Sequence, residues 1–221
     1  MRSLLRTRRR KLWFAAFVAA ALYLVSQAIG QRPARAEQWL PELPPRETAT
    51  QNVAVLEDAV QALSGRRVNV YCWSSSDWKD EGRSWDSGRF GPLTPWRAYT
   101  SPGTRNVELG PNVCSELERL RGRPRLVQTY GDRRAAAWSV QSVAHESMHV
   151  AGIRDEAKAE CYGMQRLRRA AVPLGLTPAE GSFLARLYWR DWYPRSEGAY
   201  RSGECRDGGL LDLRPGSHIW P

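Results

Sequence analysis

The sequence predicts an α+β domain with helices dominating its second half. Three observations carry this. Short runs that suggest strands occur at Val68–Tyr71 and Asn106–Leu109, each bounded by polar or turn residues. Apolar residues at three- and four-residue steps fill the chain beyond Ala135. No Gly or Pro interrupts residues 135–150.

The first eleven residues hold Arg2, Arg6, Arg8, Arg9, Arg10 and Lys11 and no acid. An apolar run follows, from Leu12 to about Val25 and extended weakly to Ile29, and then Pro33-Ala34-Arg35-Ala36 before Glu37. A basic segment, an apolar segment and an Ala-x-Ala site describe a signal peptide over residues 1–36. Residues 12–29 also reach the lower edge of a membrane span, about 18 residues, so an uncleaved N-terminal anchor stays open. Either reading exports the rest of the chain to the cell envelope or beyond, because the positive flank stays inside. Membrane contact is expected only through this segment.

This segment holds eight of the 33 basic residues and none of the 23 acidic ones, leaving 25 against 23, a net of +2. The formal +10 is thus mainly targeting charge and makes no case for nucleic-acid binding. Clusters such as Arg166, Arg168 and Arg169 read as solvated faces.

Residues 37–50 are polar and proline-rich, a linker, and residues 51–221 fit one domain, expected to be a monomer. Within it, Val53, Leu56, Val60 and Leu63 mark a helix over residues 52–63. Residues 67–73 form a strand. Residues 74–104 read as a long loop, with a short strand near residues 96–99. Trp73, Trp78, Trp85 and Trp96 gather there. Packing is the default role of such rings, with a peptide- or glycan-lining groove as the alternative. Residues 106–109 form a strand closed by Gly110-Pro111, and a helix covers residues 112–120.

The next helix begins after Asp132 and ends before Gly152, with Val140, Val143, Ala144 and Met148 on its apolar face. It carries His145-Glu146-Ser147-Met148-His149, two of the three histidines in the chain. Positions i and i+4 lie about 40° apart around a helix, so both imidazoles share a face. Asp155 caps a second helix running from Glu156 toward Arg169. Glu156 and Glu160 lie on one of its faces, and the short turn packs the two helices together. The expected site is Zn2+ held by His145, His149 and Glu156, with water in the fourth place. Glu160 accepts the free ring N–H of a liganding histidine. Glu146 is the general base.

This pattern, His145-Glu146-x-x-His149 followed by Glu156-x-x-Ala159-Glu160, resembles the gluzincin branch of the zinc metallopeptidases, the thermolysin-like group, over residues 137–165. The likeness implies a small zincin-like domain of minimal bacterial type, with Glu156 as third ligand, Glu146 catalytic and Glu160 as the brace. The brace is usually Asp in that group, and the gap before the third ligand is longer in thermolysin. The resemblance also implies an edge strand that holds extended peptide by main-chain pairing, with Val68–Tyr71 or Asn106–Leu109 as the candidates.

Thr177-Pro178-Ala179-Glu180 is a capping box that starts a further helix through Tyr188. The tail beyond Pro194 is Gly-rich and carries the third histidine, His218, a candidate oxyanion donor with Tyr162, Tyr200 and Arg201 as alternatives. Four cysteines in the exported part imply two disulfides. Of three possible pairings, Cys72–Cys114 and Cys161–Cys205 are favoured. Cysteine as a zinc ligand is disfavoured, because no Cys-x-x-Cys exists and Cys161 lies about 140° from Glu156 around the helix.

The functional expectation is an exported zinc metallopeptidase acting on peptide or protein. A cell-wall amidase shares the chemistry. The rival is an inactive envelope binding protein in which zinc staples two helices; a fourth protein ligand would mark it.

Overall fold

The computed structural model describes residues 51–78, 98–100, 106–122, 129–217 and 219–221. The targeting segment, the linker, Trp85, Trp96 and His218 lie outside them. No helix among the described residues is long and apolar enough to cross a membrane.

The fold is α+β, with five longer α-helices, a helical turn at residues 75–78 within the expected loop, and a small mixed sheet among the described residues. The strands are β1 (Gln51–Asn52), β2 (Asn69–Cys72), β3 (Ala98–Thr100) and β4 (Asn106–Leu109), in the order β1-β2-β4-β3. β2 and β4 run parallel, with Val70 opposite Val107 and Cys72 opposite Leu109. These four side chains are fully buried, as period-two alternation places them on one face. On the other face Glu108 accepts from Trp73 Nε1 at 2.7 Å, and Trp78 stacks on Tyr99 at 5.9 Å. Trp73 and Trp78 therefore pack over the sheet.

β3 pairs antiparallel with β4 and forms the sheet edge that meets the long helix. This corrects the expected edge: Val68–Tyr71 and Asn106–Leu109 lie inside the sheet, because each has a strand on both sides. β3 overlaps the short strand expected near residues 96–99, but three residues are too few to show the periodicity that would mark it as the edge.

The helices are α1 (Ala54–Ser64), α2 (Pro111–Gly122), α3 (Tyr130–Val150), α4 (Glu156–Ala171) and α5 (Pro178–Asp191). Pro111 opens α2 rather than closing the strand, since its missing N–H costs nothing at a helix start. α3 begins two residues before Asp132. Thr129 is its cap, accepting from Asp132 N, and Asp132 reaches back to Thr129 N, a reciprocal pair. Thr177 and Glu180 repeat the device at α5.

α3 is the hub, packing against the other four helices and β3. From Ala136 to Met148 only Trp138 is more than marginally exposed, so the helix is buried on every side. The apolar face seen in the sequence is wider in the fold because polar Gln141, Ser147 and Glu146 are buried too. α3 stops where Gly152 adopts φ 101°, a left-handed conformation. Asp155 then caps α4 through Lys158 N at 2.7 Å.

α4 lies close against α3. A Cβ on Gly163 would sit 2.9 Å from His145 N and 3.1 Å from His145 Cα, so only glycine permits this approach. Disulfides Cys72–Cys114 and Cys161–Cys205 are formed, the pairings favoured above. The first joins β2 to α2, and the second ties the C-terminal tail to α4. Two disulfides are compatible with an exported protein.

Candidate metal centre

The cluster starts from one helical turn. His145 and His149 project from the same face of α3, with ring centroids 4.7 Å apart. The tight turn through Gly152 brings the first turn of α4 over them. The Nε2 atoms are 2.9 Å apart, and Glu156 Oε2 lies 3.1 Å from that of His145 and 3.3 Å from that of His149. All three donor atoms fall within 4.8 Å of one another.

The far side of each ring is held. His145 Nδ1 lies 2.8 Å from Glu160 Oε2, and His149 Nδ1 lies 2.7 Å from Ile153 O. A carbonyl can only accept, so His149 Nδ1 carries the proton there, and the Glu160 carboxylate selects the same tautomer for His145. Both Nε2 lone pairs then point at the Glu156 carboxylate. Three acceptors facing one another repel unless a cation lies among them.

Charge within the cluster has the same origin. Burial opposes protonation of His145, but hydrogen bonds to Glu156 and Glu160 carry its pKa up to about 10. Glu156 moves oppositely: burial works against its charge, yet the two imidazoles hold it down at about 2. Burial also opposes charge on His149, and Glu156 and Glu146 raise its pKa nonetheless. A proton is thus the cation this cluster keeps when no metal is there.

The donor set and its spacing are compatible with a divalent metal ion. Bonds of about 2.0–2.1 Å in a tetrahedron separate ligand atoms by roughly 3.3 Å, close to the three spacings here. Two imidazoles and one carboxylate are also the donors a borderline-soft cation takes. The Glu156 side chain is 40% exposed, so the cluster opens to solvent on that side.

Glu160 is buried, and burial opposes its charge. His145, Tyr188 and Gln141 outweigh that and lower its pKa. The Tyr188 hydroxyl donates to Oε1, and Gln141 Nε2 donates to Oε2 at 3.1 Å. With its acceptor sites met, the carboxylate is fixed and so is the ring it braces.

Glu146 is 5% exposed. Burial raises its pKa against the pull of His145, His149 and Thr100. Thr100, on edge strand β3, donates to its Oε2 at 2.8 Å. Nothing in the sequence pointed to Thr100, Tyr188, Gln141 or Ile153, all reached by packing or by a backbone carbonyl.

Of the four oxyanion candidates, Tyr200 reaches the cluster, with its ring 5.7 Å from that of His145. Burial, then Glu156, Glu146 and Glu160, push its pKa up to about 12. Arg201 Nη1 is engaged by Pro194 O at 3.0 Å, and Tyr162 lies under Lys158. His218 lies outside the described residues.

Comparison with known proteins finds no matching family model, no similar curated protein and no similar solved structure.

Proposed function

We propose that this chain is an exported zinc-dependent metallopeptidase of the gluzincin type, built on a small zincin-like domain. His145, His149 and Glu156 hold the zinc. The supporting observation is the convergence of two tautomer-fixed imidazoles and a half-exposed carboxylate on one point, with Glu146 buried beside them. Bound there, zinc would polarise a peptide carbonyl and bring the pKa of water toward about 7.

The chain's own groups do the rest. Glu146, held by Thr100 and raised by burial, takes the proton of the attacking water and passes it to the leaving nitrogen. Tyr200 keeps its proton below pH 12 and donates to the developing oxyanion, a contribution of about 3 kcal/mol in comparable sites. The outer edge of β3 offers main-chain groups to an extended substrate. Glu160 keeps the His145 ring in register.

The test is zinc content and peptide hydrolysis of the purified protein. Wild type should hold zinc and cleave a peptide library. Glu146→Gln should keep zinc and lose turnover, and His149→Ala should lose the metal. Equal zinc in wild type and His149→Ala removes the ligand assignment. A zinc-loaded wild type inert toward the library supports the stapled binding protein instead.

A further inference from the structure

Ten residues along α4 from Glu156, about 15 Å by helical rise, the chain forms a basic feature separate from the metal cluster. A groove of about 500 Å3 runs between the C-terminal half of α4 and the tail. Arg166, Arg168, Arg169 and Arg214 line it with Val172 and Leu213, and no carboxylate does. We propose that this groove is a binding site for a phosphate-bearing ligand.

The four guanidinium groups enter no ion pair with any described residue. Arg166 is partly buried, and its Nη1 is held by two neutral acceptors, Leu63 O at 3.4 Å and Met148 Sδ at 3.3 Å. A pinned, partly desolvated cation without a counter-ion is unfavourable, and its like-charged neighbours make it more so. An anion in the groove relieves both costs.

The plainer reading is that Arg168 and Arg169, in the last turn of α4, offset the helix dipole. That accounts for two of the four. It does not explain Arg166, one turn earlier, or Arg214, which arrives from a separate segment.

Arg214 is delivered by a built structure. Gln165 on α4 donates to Leu211 O and accepts from Leu213 N, both at 2.8 Å. The Asp212 carboxylate is taken up by the backbone N–H groups of Gly208 and Arg214. The Cys161–Cys205 disulfide secures the same tail. The groove is therefore preorganised, which lowers the entropy cost of binding.

The forks of Arg168, Arg169 and Arg214, with the remaining donors of Arg166, exceed what one carboxylate can satisfy. A phosphate offers more oxygens and more charge, and guanidinium suits it in bidentate geometry. The volume exceeds that of one phosphate, so the ligand carries a second phosphate or an apolar part against Val172 and Leu213. A soluble polyphosphate and the headgroup of an anionic lipid share this chemistry.

The test uses the full chain in about 0.15 M salt, where exposed charges more than about 8 Å apart are screened. One arm measures pyrophosphate binding by calorimetry. The other measures sedimentation with phosphatidylglycerol vesicles, in excess of that with phosphatidylcholine. Arg168→Gln/Arg214→Gln is compared with Arg133→Gln/Arg206→Gln, which removes the same charge outside the groove. In at least one arm wild type should bind, and the groove variant should bind about tenfold more weakly, as expected for lost charge-assisted hydrogen bonds. The control should stay near wild type, and Arg168→Lys/Arg214→Lys, which keeps the charge but loses the forked donors, should bind between wild type and the Gln variant. The arm that responds names the source. No binding in either arm, or equal loss in groove and control variants, overturns the proposal.

Discussion

Replacing Gly163 with alanine tests the helix contact that assembles the metal cluster. In a helix interior this change ordinarily stabilises by about 1 kcal/mol, because alanine has the better propensity. Here the new methyl would meet His145 N at 2.9 Å and Ala144 C at 3.1 Å. Those atoms belong to a backbone and cannot rotate away. Restoring ordinary contact, near 3.5 Å, moves α4 from α3 by about 0.5 Å. Overpacking of this size costs about 1–3 kcal/mol. Set against the propensity gain, the net is a loss of up to about 2 kcal/mol. At about 2–4 °C per kcal/mol for a domain of this size, Tm falls by up to about 8 °C.

The shift also acts on the proposed zinc site. Ligand distances tolerate only about 0.2 Å, and Glu156 and Glu160 both ride on α4. Zinc affinity should drop at least about tenfold, comparable to losing a supporting group. Thermal unfolding followed by circular dichroism reads the first effect, and competition with a chromophoric chelator reads the second. A Gly163→Ala protein that melts higher than wild type and binds zinc equally well refutes the close-contact argument.

Two further outcomes follow from the cluster. Glu160→Gln removes the charge that sets the His145 tautomer, and zinc affinity should fall about 10- to 100-fold while the fold persists; unchanged affinity would show that the brace is idle. Zinc binding near pH 7 should expel about one proton, because His145 is protonated without metal, with a pKa of about 10. That pKa is raised above its unfolded value, so its contribution to metal-free stability is complete below about pH 6.5 and lost as pH rises through 10. The Tm of metal-free protein should therefore decline across that window. Zinc affinity should rise about tenfold per pH unit over the same range. Calorimetry in buffers of different ionisation enthalpy checks the proton count, and a count of zero contradicts the assigned charge state.

What could be read from the chain alone was local. The spacing of His145 and His149, the caps Asp155 and Thr177, and the stop at Gly152 each depend on residues within about one turn. Helical geometry determines those relations once the helix exists. Sequence left three disulfide pairings open, and the folded chain forms the favoured two. The start of α3 was misplaced because Asp132 resembles a cap, although it serves at the third position of a box headed by Thr129.

Tertiary structure decided what surrounds the donors. Thr100 reaches Glu146 across 46 residues, Tyr188 reaches Glu160 across 28, and Gln141 reaches it across 19. Strand order decided that β3, and not its longer neighbours, meets α3. The need for glycine at 163 comes from the backbone of His145 packed against it, a contact between two helices. Hydrogen bonds at such separations depend on how helices and strands pack, and packing is a property of many side chains together. A sequence therefore exposes the atoms able to grip a cation, and the folded chain alone determines what holds them in place.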